Sequence, residues 1–495
     1  MSAQALIFPQ TQIGLPREVQ YDLPPQLPDS ARAYSAHISP DGATSVLGSI
    51  INTTTATANS AGLINQAFSA QQISFTIPSG QSPSTFLDTD ATSLSFRLTW
   101  TVTTAPSYTN GFSQLIGGAS SFFDNLQLIS NNSPIENISQ YGQLANMAIT
   151  SLCNYAERYG ALTFAGLDSN GTSGIDMPTA AGTYYINFCI PLMSIIGQNN
   201  SSGKLLPIGM IQNLQLIMTT SALLPVVNTC TAVVTAPVYG TTAATAPQLD
   251  QFSLNLKYVD LGTNAVLNSA KGGKLYMKAN TYTNSNATIP SGTLGASSVL
   301  LQVRNSSLKS LFFYQALPGQ TGVVPNGTYD AVNNGSLTKA QVVIGGNRFP
   351  NRELNPSVRP AEALHVLQSA WGLAGDWARF GGVLSRESFG ATVPSIVSGG
   401  DQSLVVPSNT SRANPSGSDT GTVYVAKFPS QHFLGVDLEK SSGVLFQGIN
   451  TRPSPPFVEI TTGVATTASA TLYGFGLSDV VLEIDVASKS IVAYI

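Results

Sequence analysis

The sequence predicts an all-β protein that contains two similar domains in tandem. After about residue 70, apolar and polar residues alternate with a period of two, which is typical of strands that bury one face. A helical pattern occurs in only two short segments, one in each half of the chain. The length of 495 residues fits two domains of this class, since all-β domains often reach about 200–250 residues.

Six segments show the alternation most clearly, and each is expected to form a strand. In the last of them, Glu483 and Asp485 lie on the polar face. The six segments are Ile73–Ile77, Leu94–Val102, Leu214–Met218, Phe252–Tyr258, Leu308–Tyr314 and Val480–Val486.

Two helices are predicted, one in each half. The first spans Ile138–Leu152 with Asn137 as its N-cap, and the second spans Pro360–Trp371 with its proline in the first turn. Gly142 is expected to weaken the first helix, and Gly372 is expected to end the second.

The two helices occupy corresponding places in a repeated layout. The strand "FFDNLQLIS" leads through a polar turn that contains Pro134 into the first helix. The strand "AQVVIGG" leads through "NRFPNRELNPSVRP" into the second helix. This repetition of strand, turn, helix and strand favours two similar domains over one large one.

The segment Gly117–Ala148 contains the first of these strands and the start of the first helix. No titratable or metal-binding cluster lies near it in the sequence, so its apolar residues are interpreted as structural. The expected core residues are Phe122, Leu126 and Leu128, whereas Phe123 and Ile129 are expected to face the other surface of the sheet or a neighbouring molecule.

Residues 1–45 are predicted to form a proline-rich arm that is extended or without fixed structure until something binds it. A free terminus and an arm that docks on a partner both remain open. No basic region followed by an apolar stretch begins the chain, so no signal peptide is expected. The prolines of the arm are Pro9, Pro16, Pro24, Pro25, Pro28 and Pro40.

The low charge of the chain favours assembly. Charged residues make up 10% of the sequence, against roughly 25% in an average soluble domain. A surface of Ser, Thr, Asn, Gln and Gly can be covered by a neighbour without the desolvation of many charges. The net charge of −4 and the scattered 22 basic residues argue against a nucleic-acid-binding protein.

Residues that could carry chemistry are few and dispersed. The histidines are not at metal-ligand spacing from one another, from a cysteine or from a carboxylate, so no metal site is expected. The cysteines are interpreted as free thiols in a reducing compartment. No GxSxG, HExxH or Walker motif is present, and no GxGxxG follows a strand. The residues concerned are His37, His365, His432, Cys153, Cys189 and Cys230.

Two carboxylate pairs resemble the pair that a glycosidase uses. Asp437 with Glu439, and Glu483 with Asp485, each project from one face of a strand. A solvated strand face is the favoured interpretation, because a catalytic acid also needs a cleft and a raised pKa. The glycosylation sequons are interpreted as unmodified, and they include those at Asn52, Asn170 and Asn305.

Several stretches, taken in order, resemble the double jelly-roll major capsid proteins of tailless icosahedral DNA viruses: nucleocytoplasmic large DNA viruses, virophages and polinton-like viruses. They are "INFCIPLMSIIGQNNSSGKLLPIGMIQNLQLIM" (186–218), "FSLNLKYVDLG" (252–262), "SLKSLFFYQ" (307–315), "IGGNRFPNREL" (344–354) and "FLGVDLEKSSGVLFQGINT" (433–451). The Arg-aromatic turn of residues 344–354 has no counterpart in the first half, which has "SNNSPIEN" instead.

The resemblance implies two tandem eight-stranded antiparallel jelly rolls with a short helix inserted in each, over residues 46–262 and 263–495. It implies a structural protein of the virion in which a homotrimer forms a pseudo-hexameric capsomer of an icosahedral capsid. The implied partners are neighbouring capsomers, penton proteins and minor or cement proteins. No enzyme activity, no cofactor and no catalytic, cofactor-binding or metal-binding residue is implied.

Three alternatives remain open from sequence. The first is a two-domain β-sandwich lectin or adhesin, which is disfavoured because the long loops 161–182 and 385–421 contain one aromatic residue each, Phe164 and Phe389. The second is a glycan-active enzyme that uses the carboxylate pairs. The third is a minor or penton capsid protein, which usually needs a single jelly roll.

Overall fold

The computed structural model of the protein describes just over half of the chain. The described residues are 31–41, 53–58, 64–68, 71–80, 82–102, 112–115, 118–152, 165–166, 176–177, 182–198, 205–221, 226–229, 238–239, 248–261, 273–290, 295–316, 337–356, 358–372, 433–440, 446–462 and 470–494.

Strands dominate the described residues, together with two α-helices and the short 3-10 helices Ala119–Phe122 and Ile208–Met210. The strands of the first half are β1 (Arg32–Ile38), β2 (Thr53–Ala58), β3 (Ile64–Phe68), β4 (Gln72–Ile77), β5 (Thr85–Val102), β6 (Phe112–Leu115), β7 (Phe123–Ser130), β8 (Ser133–Ser139), β9 (Asp176–Met177), β10 (Gly182–Pro191), β11 (Leu214–Thr220), β12 (Val226–Thr229), β13 (Val238–Tyr239) and β14 (Gln248–Asp260). The strands of the second half are β15 (Lys274–Ile289), β16 (Gly295–Leu300), β17 (Leu308–Ala316), β18 (Leu337–Ile344), β19 (Asn347–Leu354), β20 (Leu434–Asp437), β21 (Phe457–Thr462), β22 (Ala470–Asp485) and β23 (Ser490–Tyr494). The helices are α1 (Tyr141–Leu152) and α2 (Pro360–Ala370).

Eight strands of the first half form two antiparallel four-stranded sheets. One sheet has the order β1-β14-β5-β10 and the other has the order β4-β11-β7-β8. Counted from one to eight along the chain, these strands lie in the orders 1-8-3-6 and 2-7-4-5. This is the strand order of a jelly roll.

The second half repeats the same order with β15 to β22. Its sheets have the orders β15-β22-β17-β20 and β16-β21-β18-β19, which again read 1-8-3-6 and 2-7-4-5. In each half the helix follows the fifth strand. The prediction of two tandem eight-stranded jelly rolls with a short helix in each is therefore confirmed.

Other strands extend this framework. β23 pairs with β22 at the edge of the second jelly roll. β6, β9, β12 and β13 form a further four-stranded sheet from the long connections of the first jelly roll. β2 and β3, which lie in sequence between the first and second strands of the first jelly roll, pair with each other in antiparallel fashion. The long loops 161–182 and 385–421 lie largely outside the described residues.

All six segments with clear alternation lie in strands, namely β4, β5, β11, β14, β17 and β22. Their apolar residues point into the sandwich; Phe75, Leu98 and Leu216, for example, are fully buried. β5 is longer than predicted and begins at Thr85, because residues 85–88 also pair with β14. No described helix is long and apolar enough to cross a membrane.

The turn before each helix was predicted as one polar connection, and this is wrong in both halves. Residues 133–139 and 347–354 form the fifth strands β8 and β19, and each closes a hairpin with the strand before it. The hairpin loops are the two-residue turns Asn131–Asn132 and Gly345–Gly346, and all four residues have φ between 48° and 85°. Asn and Gly tolerate this left-handed conformation, which the hairpin requires at both loop positions.

The first helix begins at Tyr141 and not at Ile138 as predicted. Ile138 is buried within β8, where it pairs with Leu126, and Asn137 pairs with Gln127 in the same strand, so Asn137 is not the N-cap. Gln140, with a φ of 54°, turns the chain from the strand into the helix.

Two glycines near the helices have different roles: Gly372 ends the second helix, and Gly142 permits close packing of the first. The second helix ends at Ala370 with Trp371 as its C-cap, and Gly372 follows with a φ of 73°, so the predicted stop is confirmed. Gly142 lies so close to the 3-10 helix below it that an added Cβ would be 2.8 Å from the carbonyl oxygen of Ser120. Gly142 therefore permits the close packing of α1 on the first jelly roll.

The proline-rich arm is shorter than predicted. Residues 32–38 form β1, the first strand of the first jelly roll, and pair with β14 over seven positions. Tyr34, Ala36 and Ile38 alternate toward the core, a pattern that the neighbouring prolines obscure in the sequence. The remainder of the arm, residues 1–30, lies outside the described residues.

The predicted core residues Phe122, Leu126 and Leu128 are buried, as expected. Phe123 is also fully buried, so its predicted outward orientation is wrong. The ring of Phe96 meets the Phe123 ring edge-on at 5.4 Å. Phe122 points inward from the end of a 3-10 helix. Phe123 also points inward because the pairing of β7 with β11 is irregular between Phe123 and Asn125, which shifts the alternation by one residue before Leu126.

Candidate functional site: the contact between the two jelly rolls

The predicted sites of chemistry remain dispersed in the fold. His37 Nδ1 lies 2.7 Å from Asn255 Oδ1, and His365 is exposed on α2. Cys189 is a half-buried free thiol. His432, Cys153 and Cys230 lie outside the described residues. Over the described ranges, no three His, Cys, Asp or Glu side chains group together in a way that could hold a metal ion.

The first carboxylate pair is engaged in local structure. Asp437 Oδ1 accepts the backbone N–H of Glu439 at 2.9 Å, and Glu439 Oε1 lies 2.9 Å from Lys309 Nζ. Partial burial of the carboxyl group, and then the charge of Glu439, raise the pKa of Asp437. The two carboxylates therefore stabilise the chain just after β20 and link it to Lys309 of β17.

The second pair has pKa values shifted away from those of a catalytic acid. Glu483 accepts hydrogen bonds from Lys274 and from the Tyr494 hydroxyl, and the bond from Lys274 is the main cause of its lowered pKa. The backbone N–H groups of Ser488 and Ala487 lower the pKa of Asp485. Both carboxylates remain ionised at neutral pH, whereas a glycosidase acid needs a raised pKa.

One of the three sequons can be located in the fold. The Asn305 side chain is buried and donates through Nδ2 to Ser478 Oγ at 3.0 Å, so it cannot carry a glycan. Asn52 and Asn170 lie outside the described residues.

A buried carboxylate joins the two jelly rolls. Glu136, on β8, is only 1% exposed. Its Oε2 accepts hydrogen bonds from Ser194 Oγ at 2.5 Å and from the backbone N–H of Ile195 at 3.0 Å, both just after β10. Its Oε1 accepts a bond from Thr281 Oγ1 at 3.0 Å, on β15 of the second jelly roll. The carboxylate therefore has three donors drawn from both domains, as a buried charge requires.

The helix α1 forms the second part of this contact. The buried Tyr314 hydroxyl of β17 donates to Gln143 Oε1 at 2.6 Å. Asn284 of β15 donates through Nδ2 to Gln140 Oε1 at 3.2 Å and accepts a short bond from Ser139 Oγ. The contact is therefore polar at its centre and links the fifth strand and helix of one domain to the first and third strands of the next.

Two buried tyrosines lie beside the Glu136 carboxylate. Burial is the main cause that raises the pKa of Tyr141 and Tyr282 well above the ordinary value, and the negative charge of Glu136 adds to it. The Tyr141 oxygen accepts the backbone N–H of Met193 at 3.1 Å. Both phenols are therefore neutral in the folded protein.

Sequence reasoning missed this contact. Glu136, Gln143 and Tyr314 come from distant parts of the chain, and their meeting depends on how the two domains pack. One sequence signal is present at Glu136: it lies between Ile135 and Ile138, which are both buried, in a chain with few charges.

A rigid aromatic and charged surface lies on the outer face of the first jelly roll. Arg97 of β5 binds Asp250 of β14 through two bonds, Nε–Oδ1 at 2.7 Å and a terminal nitrogen to Oδ2 at 2.9 Å. Thr99 Oγ1 donates to the same carboxylate at 3.1 Å. The Tyr185 ring, on β10, lies 4.7 Å from the Arg97 guanidinium carbon and is 61% exposed. We call Arg97, Asp250 and Tyr185 the Arg97 surface.

Comparison with known proteins gives matches among solved structures only. No protein-family model matches the chain, and no curated protein sequence matches it. The crystal structure of PBCV-1 VP54, fitted into a reconstruction of the virophage Sputnik, matches with a TM-score of 0.53 at 13% identity, over 96% of this chain and 99% of that one. A quasi-atomic model of the PBCV-1 virus capsid matches with a TM-score of 0.50 at 13% identity, over 94% of this chain and 97% of that one. The strand order and these full-length likenesses together show that this chain has the double jelly-roll fold found in viral major capsid proteins.

Proposed function

We propose that this chain is the major capsid protein of a tailless icosahedral DNA virus. Three copies form a capsomer of pseudo-hexagonal outline, and these capsomers tile the shell of the virion. The observation that carries the proposal is the exact repetition of one strand order, 1-8-3-6 and 2-7-4-5, in two domains of one chain. The likeness to the PBCV-1 capsid structures over nearly the whole chain supports it.

The repetition has a geometric consequence. Three chains with two similar domains each present six similar wedges around an axis, and a six-sided unit packs in a hexagonal lattice. Such a unit must bury large side surfaces, first within the capsomer and then against its neighbours. With 10% charged residues, these surfaces can be buried with little desolvation of charge.

The proposal extends to partners and domain organisation. The partners are neighbouring capsomers, penton proteins and minor or cement proteins, and no sequence-specific contact with nucleic acid is proposed. The domains are an arm before β1, a first jelly roll to residue 262 and a second jelly roll from residue 263. The proposed role is purely structural, without catalysis or a cofactor.

The test is the size and shape of the purified full-length protein. Sedimentation equilibrium is expected to give three times the mass of 51.8 kDa of one chain. Negative-stain microscopy is expected to show particles with a hexagonal outline. A stable monomer at micromolar concentration would contradict the proposal.

The arm has a separate expected role in shell formation. A variant without residues 1–30, which keeps β1, should still form trimers but should form shells poorly, because the arm would order against a neighbour only on assembly. Full-length chain assembled in parallel is the control. Shells of normal yield and size from the truncated chain would refute this role.

A further inference from the structure

The last strand of the chain extends the second jelly roll beyond its eight strands. β17 pairs with β22 over residues 471–478, and β23 pairs with the next part of β22, residues 481–485. β15 pairs with these residues on the other side. The result is a three-stranded platform, which we define as residues 274–278, 481–485 and 490–494. In the described part of the first jelly roll, no strand corresponds to β23, since β14 pairs with β5 as far as its last residue, Asp260.

One face of the platform is buried and anchored. Leu482, Ile484 and Ile491 are almost fully buried on this face. The turn between β22 and β23 is held on the first jelly roll, since the backbone N–H of Gln212 donates to the carbonyl oxygen of Lys489 at 3.0 Å. β15 and β23 also contact β8. The platform is therefore fixed to both domains.

The other face of the platform carries three exposed apolar side chains. Tyr276 is 60% exposed, Val492 is 46% exposed and Tyr494 is 48% exposed. The register places Tyr276 and Val492 on either side of Glu483 in one row across the strands, and Tyr494 is two residues further along β23. Single exposed apolar residues are common, whereas a group of them on one rigid face is typical of a surface that binds a partner.

Hydrogen bonds hold both tyrosine rings of the platform in place. The Tyr494 hydroxyl donates to Glu483 Oε2 at 3.1 Å, and the Tyr276 side chain also bonds to this carboxylate. An ion pair with Lys274 balances the negative charge. The hydroxyl of each tyrosine is thus directed to a fixed point on the sheet, while its ring remains accessible. Little conformational entropy is lost when a partner packs on such rings.

The arm of the chain contains a segment suited to this face. Residues 23–28 read "LPPQLP", in which Pro25 and Pro28 are three residues apart. Segments of this PxxP type favour the polyproline II helix, which docks on surfaces lined by aromatic residues. Prolines lack the backbone N–H that a strand needs, so the segment is suited to the face of a sheet and not to pairing along its edge.

The spacing of the segment agrees with the spacing of the platform. A polyproline II helix rises about 3.1 Å per residue, so Pro25 and Pro28 are about 9 Å apart on one side of it. Tyr276 and Val492 lie on strands that are two places apart in the sheet, which corresponds to about 10 Å. One proline can therefore pack on Tyr276 while the other packs between Val492 and Tyr494.

We propose that the platform of one copy binds residues 23–28 in the arm of a second copy. The inference rests on the proposed function, in which the arm orders against a neighbour on assembly, and it specifies where the arm binds. The segment adopts the polyproline II conformation on the exposed face and packs its prolines on the two tyrosines.

The position of β1 assigns the arm to a second copy. β1 lies over β4, at the opposite edge of the first jelly roll from β8, which the platform contacts. Three strand spacings and the gap between the two sheets put β1 about 17 Å from β8. Pro28 is only four residues before Arg32, the first residue of β1, and four residues span at most about 14 Å. The segment is therefore too close to β1 to lie along the platform of its own chain.

A peptide-binding assay tests the platform. The receptor is the full-length chain with Pro25→Ala and Pro28→Ala, so that its own arm does not compete. A fluorescent peptide of residues 19–31 should bind this chain, as measured by anisotropy, and a peptide with the same two alanines should not bind. Tyr494→Ala in the receptor should raise the dissociation constant at least about tenfold, because it removes an aromatic contact at the centre of the site.

Tyr185→Ala in the same receptor is the matched control. Tyr185 is also exposed, at 61%, but lies on β10 of the first jelly roll. This variant should leave the dissociation constant unchanged, and circular dichroism should show both variants folded. Equal binding by the Tyr494→Ala and Tyr185→Ala receptors would overturn the inference.

Cross-linking tests the source of the arm. A full-length chain that carries both Gln26→Cys and Val492→Cys, treated with a short bismaleimide, should give covalent dimers and larger products. Each single variant and the unchanged chain, which retain the native cysteines, are the controls and should give none above background. Linked peptides found only in products with the mass of one chain would overturn the assignment to a second copy.

The outcomes separate this inference from the proposed function. Peptide binding that depends on Tyr494, together with cross-links between copies, supports the inference. Trimers that form without peptide binding and without these cross-links would overturn the inference and leave the capsid proposal standing. A stable monomer that gives no cross-links between copies would overturn both.

Discussion

The two jelly rolls share their strand order, their two-residue hairpin turn and the position of their helix, yet the two helices are buried to different extents. α1 is enclosed on all sides over residues 141–149, whereas α2 exposes Ala361 and His365. The two helices also pack differently within their own jelly rolls. α1 lies on the 3-10 helix Ala119–Phe122 and on β7, whereas α2 lies on β20 and β17. α1 lies against the second jelly roll of its own chain.

The fifth strands show the same difference in their charges. Glu136 of β8 is buried with three hydrogen-bond donors from both domains. Glu353 of β19 is half-buried and pairs with Lys339 of the adjacent strand at 2.7 Å. A glutamate can therefore act as a domain connector in one jelly roll and as a surface ion-pair partner in the other.

The largest expected effect comes from the removal of the buried carboxylate. Glu136→Ala should lower the free energy of unfolding by about 2–5 kcal/mol, because Ser194, Ile195 and Thr281 lose their acceptor inside the protein. Glu353→Ala is the matched control and should change it by about 0–1 kcal/mol. Urea denaturation measures the free energy of unfolding of both variants and of the unchanged chain. Equal effects of the two substitutions would show that Glu136 does not connect the domains.

A smaller effect is expected at the second residue of each helix. Gly142→Ala should destabilise the protein by about 1–3 kcal/mol, because the new Cβ would be 2.8 Å from Ser120 O and from Ser121 Cα. Ala361→Gly, at the same position of the exposed α2, should destabilise by about 1 kcal/mol or less through helix propensity alone. Thermal melts measure how far each variant is destabilised relative to the unchanged chain. A Gly142→Ala protein more stable than the unchanged chain would mean that α1 is less tightly packed than described.

The buried tyrosines predict a loss of stability at alkaline pH. The pKa of Tyr282 is raised in the folded protein, so its contribution is fully present below the unfolded pKa of about 10 and is lost as the pH rises above it. Between pH 8 and pH 11, Tyr282→Phe should therefore lose about 1.4 kcal/mol less stability than the unchanged chain. Tyr185→Phe, at an exposed position, is the control and should follow the unchanged chain. Identical pH profiles for all three proteins would contradict the burial of Tyr282.

The smallest effect is expected from an exchange of the two hairpin turns. Asn131–Asn132 changed to Gly–Gly, and Gly345–Gly346 changed to Asn–Asn, should each alter stability by less than about 1 kcal/mol, since all four positions have left-handed φ values that both residue types adopt. Replacement of either pair by Val–Val should cost about 1–2 kcal/mol per residue. Chemical denaturation measures the free energy of unfolding of the exchanged turns and of the Val–Val variants. Tolerance of valine at these positions would show that the two turns do not share this geometry.

Most of the fold follows from local patterns that a sequence displays. Alternation in stretches such as Leu94–Trp100 identifies strands because one face must be buried, and Pro360 and Gly372 define the second helix through backbone chemistry. β8 and β19 were missed because their prolines, Pro134 and Pro350, resemble turn residues. A proline is tolerated there because each strand lies at the edge of its sheet.

The contact between the domains could not be predicted in the same way. Glu136, Thr281 and Tyr314 have ordinary local sequences, and only the packing of one jelly roll on the other brings them together. The resemblance to capsid proteins predicted two tandem jelly rolls, but it did not identify the residues that join them. The Arg97 surface was missed for the same reason, since Arg97 and Asp250 lie on strands that are distant in sequence.

A cryo-EM structure of the purified full-length oligomer is the most direct test of the proposed capsomer. We expect three copies whose six jelly rolls lie side by side with a hexagonal outline. We also expect Glu136 to be buried between the two jelly rolls of each chain and bonded to Thr281. An oligomer of another copy number, or two jelly rolls of one chain that lie apart, would contradict the proposal.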